Sequence, residues 1–303
     1  MISRRTFLKS AGGLFAGSGL MGTYAFAIEP LYRLKVTKYQ PQLTGWNKNF
    51  HLKIAVLTDI HACKPWMDVE RIRHIVTKTN ALKPDIILLL GDYVSGMNLV
   101  TEYVHSDDWG PVLGELKAPL GVHAVLGNHD WWEDPVAQRR GAGPTIVHKA
   151  LSRAGIAIYE NDALKITQKG KDFWLAGLGD QLAFPPRKKF GRKKWKTMDD
   201  LSGTLAQVTD EAPVILMAHE PDVFPRVPER VCLTLSGHTH GGQVRIGSYA
   251  PINTSGQKHN YGLVKEGKKK LIVSGGLGCS MLPVRFGTPP EIVLIELGQP
   301  NEA

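Results

Sequence analysis

Seven side chains that bind metals through oxygen or nitrogen stand just past short apolar runs of this chain. Asp59 and His61 follow Ile54-Ala55-Val56-Leu57. Asp92 follows the run 86–90 across Gly91, and Asn128 follows Val122–Leu126 across Gly127. His219 follows Val214–Ala218, and His238 and His240 follow Val231–Ser236 across Gly237. Carboxylate, amide and imidazole without thiolate argue against a structural zinc site and suit Mn2+, Fe or Zn2+. Seven groups are too many for one tetrahedral ion. They fit two divalent ions about 3.5–4 Å apart that share one carboxylate, an arrangement that clamps the attacking and leaving oxygens of a phosphoryl displacement.

The runs that carry these residues set the architecture. Uninterrupted apolar stretches read as strands buried on both faces. Further strands are expected at 156–159, 163–168, 173–178, 271–274 and 292–297, with an edge strand over 32–36. Asp68 caps a helix whose Val69, Ile72, Ile75 and Val76 fall on one face. Strands alternating with helices, then mostly strands, indicate an α/β fold with mixed sheets and outer helices. Open α/β sheets place their sites beyond the carboxyl ends of strands, which is where the seven residues stand.

In that order and spacing, Asp59-x-His61, Gly91-Asp92, Gly127-Asn128-His129-Asp130, His219 and Gly237-His238-x-His240 resemble the signature of the calcineurin-like metallophosphoesterases. The likeness runs from about residue 52 to 297. It implies a four-layer α/β/β/α sandwich with two mixed sheets. It further implies that Asp59, His61 and His240 bind one metal, that Asn128, His219 and His238 bind the other, and that Asp92 bridges both. His129 then contacts the phosphate and protonates the leaving oxygen, with Asp130 orienting it. Neutral Asn128 leaves its site less negative and more Lewis-acidic. The presence of His129 and Asp130 speaks for catalysis rather than a purely structural site. The segment 274–280 with Pro283-Val284-Arg285-Phe286 resembles a bacterial branch of exported phosphodiesterases that includes enzymes similar to UDP-2,3-diacylglucosamine diphosphatase of lipid A synthesis. By that likeness Arg285 contacts the substrate phosphate.

The other features concern place and partners. Ser3-Arg4-Arg5-Thr6-Phe7-Leu8-Lys9, a Gly/Ala-rich stretch and Ala25-Phe26-Ala27 resemble a twin-arginine export signal over 1–27. Export places the protein in the periplasm or on the outer face of the cytoplasmic membrane, with an uncleaved anchor as the alternative. Residues 28–50 form a leader, and 51–303 the catalytic domain. The net charge of +9 over 303 residues divides unevenly. The signal carries three basic residues and no acid, and 187–196 carries seven basic residues in ten, also without acid, so the remainder is near neutral. This cationic loop, with Phe190 and Trp195, suits an anionic membrane surface or lipid substrate; nucleic acid is not expected of an exported protein.

Apolar residues at 43% and charged residues at 21% exclude a disordered or fibrous chain, and three cysteines exclude a disulfide scaffold. Cys63 and Cys279 flank motif residues, yet separate thiols are expected over a disulfide. Trp131 and Trp132 read equally as pocket wall or packing. His51, His74, His105, His123, His148 and His259 match no motif. The resulting expectation is a hydrolase with two divalent ions, Mn2+ first, cleaving a phosphodiester or pyrophosphate of an anionic lipid or a UDP-2,3-diacylglucosamine-like nucleotide sugar. The alternatives are a phosphomonoesterase or protein phosphatase on the same metals, and a non-catalytic protein that binds anionic lipid.

Overall fold

Runs such as Ile86-Ile87-Leu88-Leu89 have no polar face to offer water, so both faces must be covered. In the computed structural model, which describes residues 10, 17–247, 249–251 and 259–298, two six-stranded sheets do this for each other. The first runs, in spatial order, Lys35–Tyr39, Glu291–Leu297, Leu52–Leu57, Ile86–Leu89, Val122–Ala124, Ala157–Ile158. The second runs Gly262–Glu266, Lys269–Val273, Val231–Ser236, Val214–Met217, Lys171–Gly177, Asp162–Gln168. Both are mixed. In the first, Glu291–Leu297 is antiparallel to Leu52–Leu57 and the other pairs are parallel. In the second, the two outermost pairs are antiparallel.

Alternate residues of one strand separate the layers. Ile54, Val56, Ile86 and Leu88 join Leu175, Ile215, Met217 and Leu235 between the sheets. Ala55, Leu57, Ile87 and Leu89 face outward onto Ile72, Ile75 and Val76 of the helix Val69–Ala81. Asp68 caps that helix by accepting from the Arg71 amide at 2.8 Å. Outside the second sheet the cover is thinner: the short helix Leu201–Ala206 and the turn Pro221–Arg226 lie over Val214, Leu216 and Trp174. The four-layer order expected from the sequence is present.

The leader departs from expectation. The edge strand begins at Lys35, because the chain is still helical through Tyr32. Residues 17–23 are α-helical, Tyr24–Ile28 form a π turn, and Glu29–Tyr32 complete the segment. Ala25-Phe26-Ala27 thus lies within one helical stretch. Arg4, Arg5 and Lys9 of the expected signal lie outside the described residues. The strand Gly262–Glu266 was not legible in the sequence. Its residues are all partly exposed, and its place depends on pairing with Lys269–Val273.

Candidate metal centre

Each motif occupies the turn just past a strand, and these turns are strained. Asp59, His61, Asp92, His238 and His240 adopt left-handed φ of 54°, 47°, 57°, 67° and 51°. Such angles cost non-glycine residues about 1–3 kcal/mol each and persist only where surroundings over-determine them. Here the turns hold one another. The Asp59 amide donates to Gly91 O, the His61 amide to Asp92 O and the Gly237 amide to His219 O, each at 3.0 Å. Two motif glycines, Gly127 and Gly237, lie where ligand side chains leave no room for a Cβ. A Cβ on Gly127 would sit 2.4 Å from Asp92 Oδ1 and 2.7 Å from the His219 ring. One on Gly237 would sit 2.6 Å from Asp59 Oδ2.

The side chains converge in two groups. Asp59, His61 and His240 bring their donor atoms within 4.8 Å of one another, and so do Asp92, His219 and His238. Asp92 links the groups: its Oδ2 lies 3.4 Å from His61 Nε2 and 3.2 Å from His219 Nε2. Its Oδ1 accepts the His129 amide at 2.8 Å, which fixes the carboxylate plane. Asn128 Oδ1 lies 2.9 Å from His238 Nδ1 and joins the second group. Every sequence-expected ligand is therefore assembled in one place.

This donor set fits divalent cations. His219 Nδ1 donates to Leu90 O at 2.6 Å and His61 Nδ1 to Val94 O at 3.0 Å. Those bonds leave a lone pair on each Nε2, facing the Asp92 carboxylate. His219 Nε2 is buried without a close hydrogen-bond partner, and although burial opposes its charge, Asp92 at 3.2 Å raises its pKa. Burial pushes His61 down to about 3 and His238 down to about 4, so both rings are neutral and able to ligate. Burial, with the charge of Asp92 nearby, pushes Asp59 up to about 7. A cation would supply the compensating charge that the buried Asp59 carboxylate otherwise lacks.

His129 lines the cleft beside the ligands, its ring centroid 4.9 Å from that of His61. Burial opposes its positive charge, but Asp92 and Glu133 outweigh burial and raise its pKa above the ordinary value. The groups around it correct one expectation. Asp130 does not touch the His129 ring. Its two oxygens accept the amides of Asp92 and Gly127 at 2.9 Å and Tyr93 at 2.8 Å, so it ties two motif turns together. The carboxylate near His129 Nδ1 is Glu133, at 3.4 Å. Sequence reasoning missed it, although helical i, i+4 spacing over Asn128–Trp132 offered a signal.

Arg285 is the second correction. Its guanidinium is fully buried and donates to the carbonyls of Gly275, Gly278 and Thr288 at 2.8–2.9 Å. It stands behind His240, 3.3 Å from Nδ1, where a substrate phosphate has no access. The tryptophans divide. Trp131 is buried against Phe184, whereas Trp132 stands on the cleft wall with Trp195. Cys63 and Cys279 are free, buried thiols sharing a small apolar cluster with Met97, and burial pushes Cys63 up to about 11. His123 and His148 serve local bonds to Tyr159 and Glu160.

Comparison with known proteins agrees with this geometry. Residues 52–242 match the family model described as calcineurin-like phosphoesterase. The chain is 31% identical to the metallophosphoesterase YkuE of Bacillus subtilis, over 99% of both chains. It is 28% identical to an uncharacterized metallophosphoesterase of Aquifex aeolicus, over 92% of this chain and 96% of the relative. Identity is also 28% to the phosphodiesterase YaeI of Escherichia coli, over 98% of this chain and all of the relative. Five strand ends that deliver seven oxygen and nitrogen donors into two groups joined by Asp92, together with these matches, make the chain a member of the calcineurin-like phosphoesterase family and a metal-dependent phosphoester hydrolase.

Proposed function

We propose that this hydrolase cleaves a phosphodiester or pyrophosphate in an anionic amphiphile, such as an anionic lipid or a UDP-2,3-diacylglucosamine-like nucleotide sugar. The observation that carries the reading is the cleft above the metal groups. It encloses about 690 Å3, with Asp92, Asn128, His129, His238 and His240 at its floor. Its walls include the apolar Trp132, Leu182, Trp195, Met281, Leu282 and Val284, beside the polar Asp222, Thr239, Gln243 and Ser280. A purely polar phosphomonoester would leave those walls wet, whereas an ester with an apolar portion covers them. The name of the relative YaeI, a phosphodiesterase, supports a diester.

Two bound divalent cations, Mn2+ first and Fe or Zn2+ next, would polarise the phosphoryl oxygens and acidify the attacking water. Asp59, His61 and His240 would hold one, and Asn128, His219 and His238 the other. Asp92, with its Oδ2 toward both histidine sets, would serve each. Water forms the new bond to phosphorus as the bond to the departing oxygen breaks. His129, whose protonated form Asp92 and Glu133 favour against burial, gives that oxygen its proton.

The cationic stretch 187–196 carries Trp195 to the cleft, which favours an anionic substrate or surface there. Export by the twin-arginine route, to the periplasm or the outer membrane face, belongs to the same proposal. The experiment is a panel of aryl monoesters, aryl diesters, phospholipids and UDP-diacylglucosamine offered to the Mn2+-loaded protein. The reading expects diester or pyrophosphate turnover, with KM falling as the apolar portion grows and that gain lost in Trp195→Ala. Faster turnover of monoesters, without chain-length dependence, refutes it in favour of a phosphomonoesterase.

A further inference from the structure

The turn that bears His238 and His240 ends in a strained glutamine. Gln243 has φ 55° and ψ −38°, and the Val244 amide donates across it to the Gly242 carbonyl, closing a three-residue γ-turn of the rare, strained hand. The Gln243 amide itself donates to the carbonyl of the ligand residue His240 at 2.9 Å. Residues held in such conformations persist where their surroundings over-determine them, and they gather at ligand clamps and active sites.

The side chain of Gln243 supplies the constraint. Its Oε1 accepts the Ser280 amide at 2.6 Å, and its Nε2 donates to the carbonyls of Leu282 at 3.0 Å and Val284 at 3.1 Å. Both amide hydrogens and the oxygen are thus engaged by one loop, a pattern that needs a carboxamide. The Gln243 carbonyl also accepts the Phe286 amide at 2.9 Å. The loop has little else to hold it. Residues 280–284 belong to no helix or strand. They fold as two successive tight turns, Leu282 N to Ser280 O at 2.6 Å and Val284 N to Leu282 O at 2.8 Å, the first about Met281 at a left-handed φ of 60°. Met281 is 68% exposed and Leu282 45%, so burial does little to fix them.

Ser280, Met281, Leu282 and Val284 line the cleft at whose floor His238 and His240 stand. We infer that Gln243 is a positioning residue that fixes the 280–284 wall to the metal-ligand turn and so sets how tightly the enzyme holds the part of the ester that does not react. Its polar atoms are taken up by the wall, so it acts through Met281 and Leu282 and not by touching the phosphate. A wall tied at three points to the turn that bears a ligand keeps one height above the centre. An apolar group bound against it pays less ordering entropy than one that must first order the loop. Glutamate at this position would set a carboxylate oxygen against two carbonyls, and alanine would leave Ser280 N, Leu282 O and Val284 O without their partner. The inference rests on the proposed function in one respect, that this wall seats the apolar portion of the substrate.

The test has two arms, both on the Mn2+-loaded full chain. The first follows amide hydrogen exchange by mass spectrometry. Gln243→Ala and Gln243→Glu are each expected to speed exchange over 279–286 at least tenfold, while the segments around Asp59 and His219 exchange as in the wild type. The second compares kcat/KM for methyl and hexyl p-nitrophenyl phosphate, which share a leaving group. The wild type is expected to favour the hexyl ester, and both variants to lose at least fivefold of that preference through the KM of the hexyl ester. In a Met281→Ala, Leu282→Ala background, adding Gln243→Ala is expected to cost less than twofold more, because the side chains it places are already gone. Unchanged exchange over 279–286, an unchanged hexyl preference, or a full-sized Gln243 effect in the double-alanine background overturns the inference. So does a loss in kcat that is equal for both esters. If the wild type prefers the hexyl ester and the variants keep that preference, the inference alone fails. If the wild type shows no such preference, the amphiphilic-substrate reading fails and the specificity role of Gln243 with it.

Discussion

Glu133→Gln tests the acid role proposed for His129 separately from the metals. Glu133 Oε1 lies 3.4 Å from His129 Nδ1, with the Glu133 side chain 40% and the His129 side chain 15% exposed. Solvent therefore screens the pair, and exposed pairs of this kind are worth about 0.2–1 kcal/mol. At 1.36 kcal/mol per pH unit, that corresponds to about 0.15–0.7 unit of His129 pKa. The sign follows from the role. A raised pKa keeps the ring protonated to higher pH, and activity falls as pH rises through it. Removing the Glu133 charge should move the alkaline limb of kcat down by about 0.15–0.7 unit. Well above the limb, that is a loss of about 1.4- to 5-fold in rate. The acidic plateau should change little, because Asp92 remains. The assay is a pH–rate profile on an aryl diester with saturating metal. An alkaline limb that stays in place, or moves upward, refutes the assignment of His129 as acid with Glu133 as its charge partner.

Other perturbations separate metal binding, stability and substrate contact. Asp92→Asn removes the one carboxylate that both histidine sets face. It should weaken metal binding, read by calorimetry, by about 100-fold or more, since even an outer partner of a ligand is worth about 10–100-fold. A wild-type titration would show that Asp92 joins no metal. Arg285→Met should cost about 3 kcal/mol or more in urea denaturation by stranding three buried carbonyls. Unchanged stability with a tenfold rise in KM would restore Arg285 as a phosphate contact. Glu29→Ala removes the acceptor of two amides and should cost about 2–4 kcal/mol, with Glu29→Gln costing less. A change under about 0.5 kcal/mol, the scale of surface substitutions, would show that these two bonds are not formed. Chelation should lower the melting temperature, because binding to the folded state alone adds stability by mass action.

Sequence order and spacing alone named the residues that gather at the strand ends. Glycine-flanked Asp, Asn and His residues past charge-free runs can be read because a buried parallel strand tolerates no charge, so chemistry gathers where the strand ends. The two mixed sheets and the Asp68-capped helix were legible for the same reason: their patterns are local. What the tertiary structure decided is which long-range partner each side chain meets. Asp130 stands next to His129 in sequence yet spends both oxygens on turns 92–93 and 127. Glu133 takes its place because one helical turn brings residues four apart together. Arg285, in sequence an inviting phosphate ligand, is drawn inward by three carbonyls that no local pattern announces. The Gly/Ala-containing stretch 17–27 reads as disposable leader until Arg285, Gly287 and Thr288, more than 250 residues away, bind its helix by their backbone amides. Backbone amides carry no residue identity, so a sequence cannot name the contacts they make; only the folded chain does.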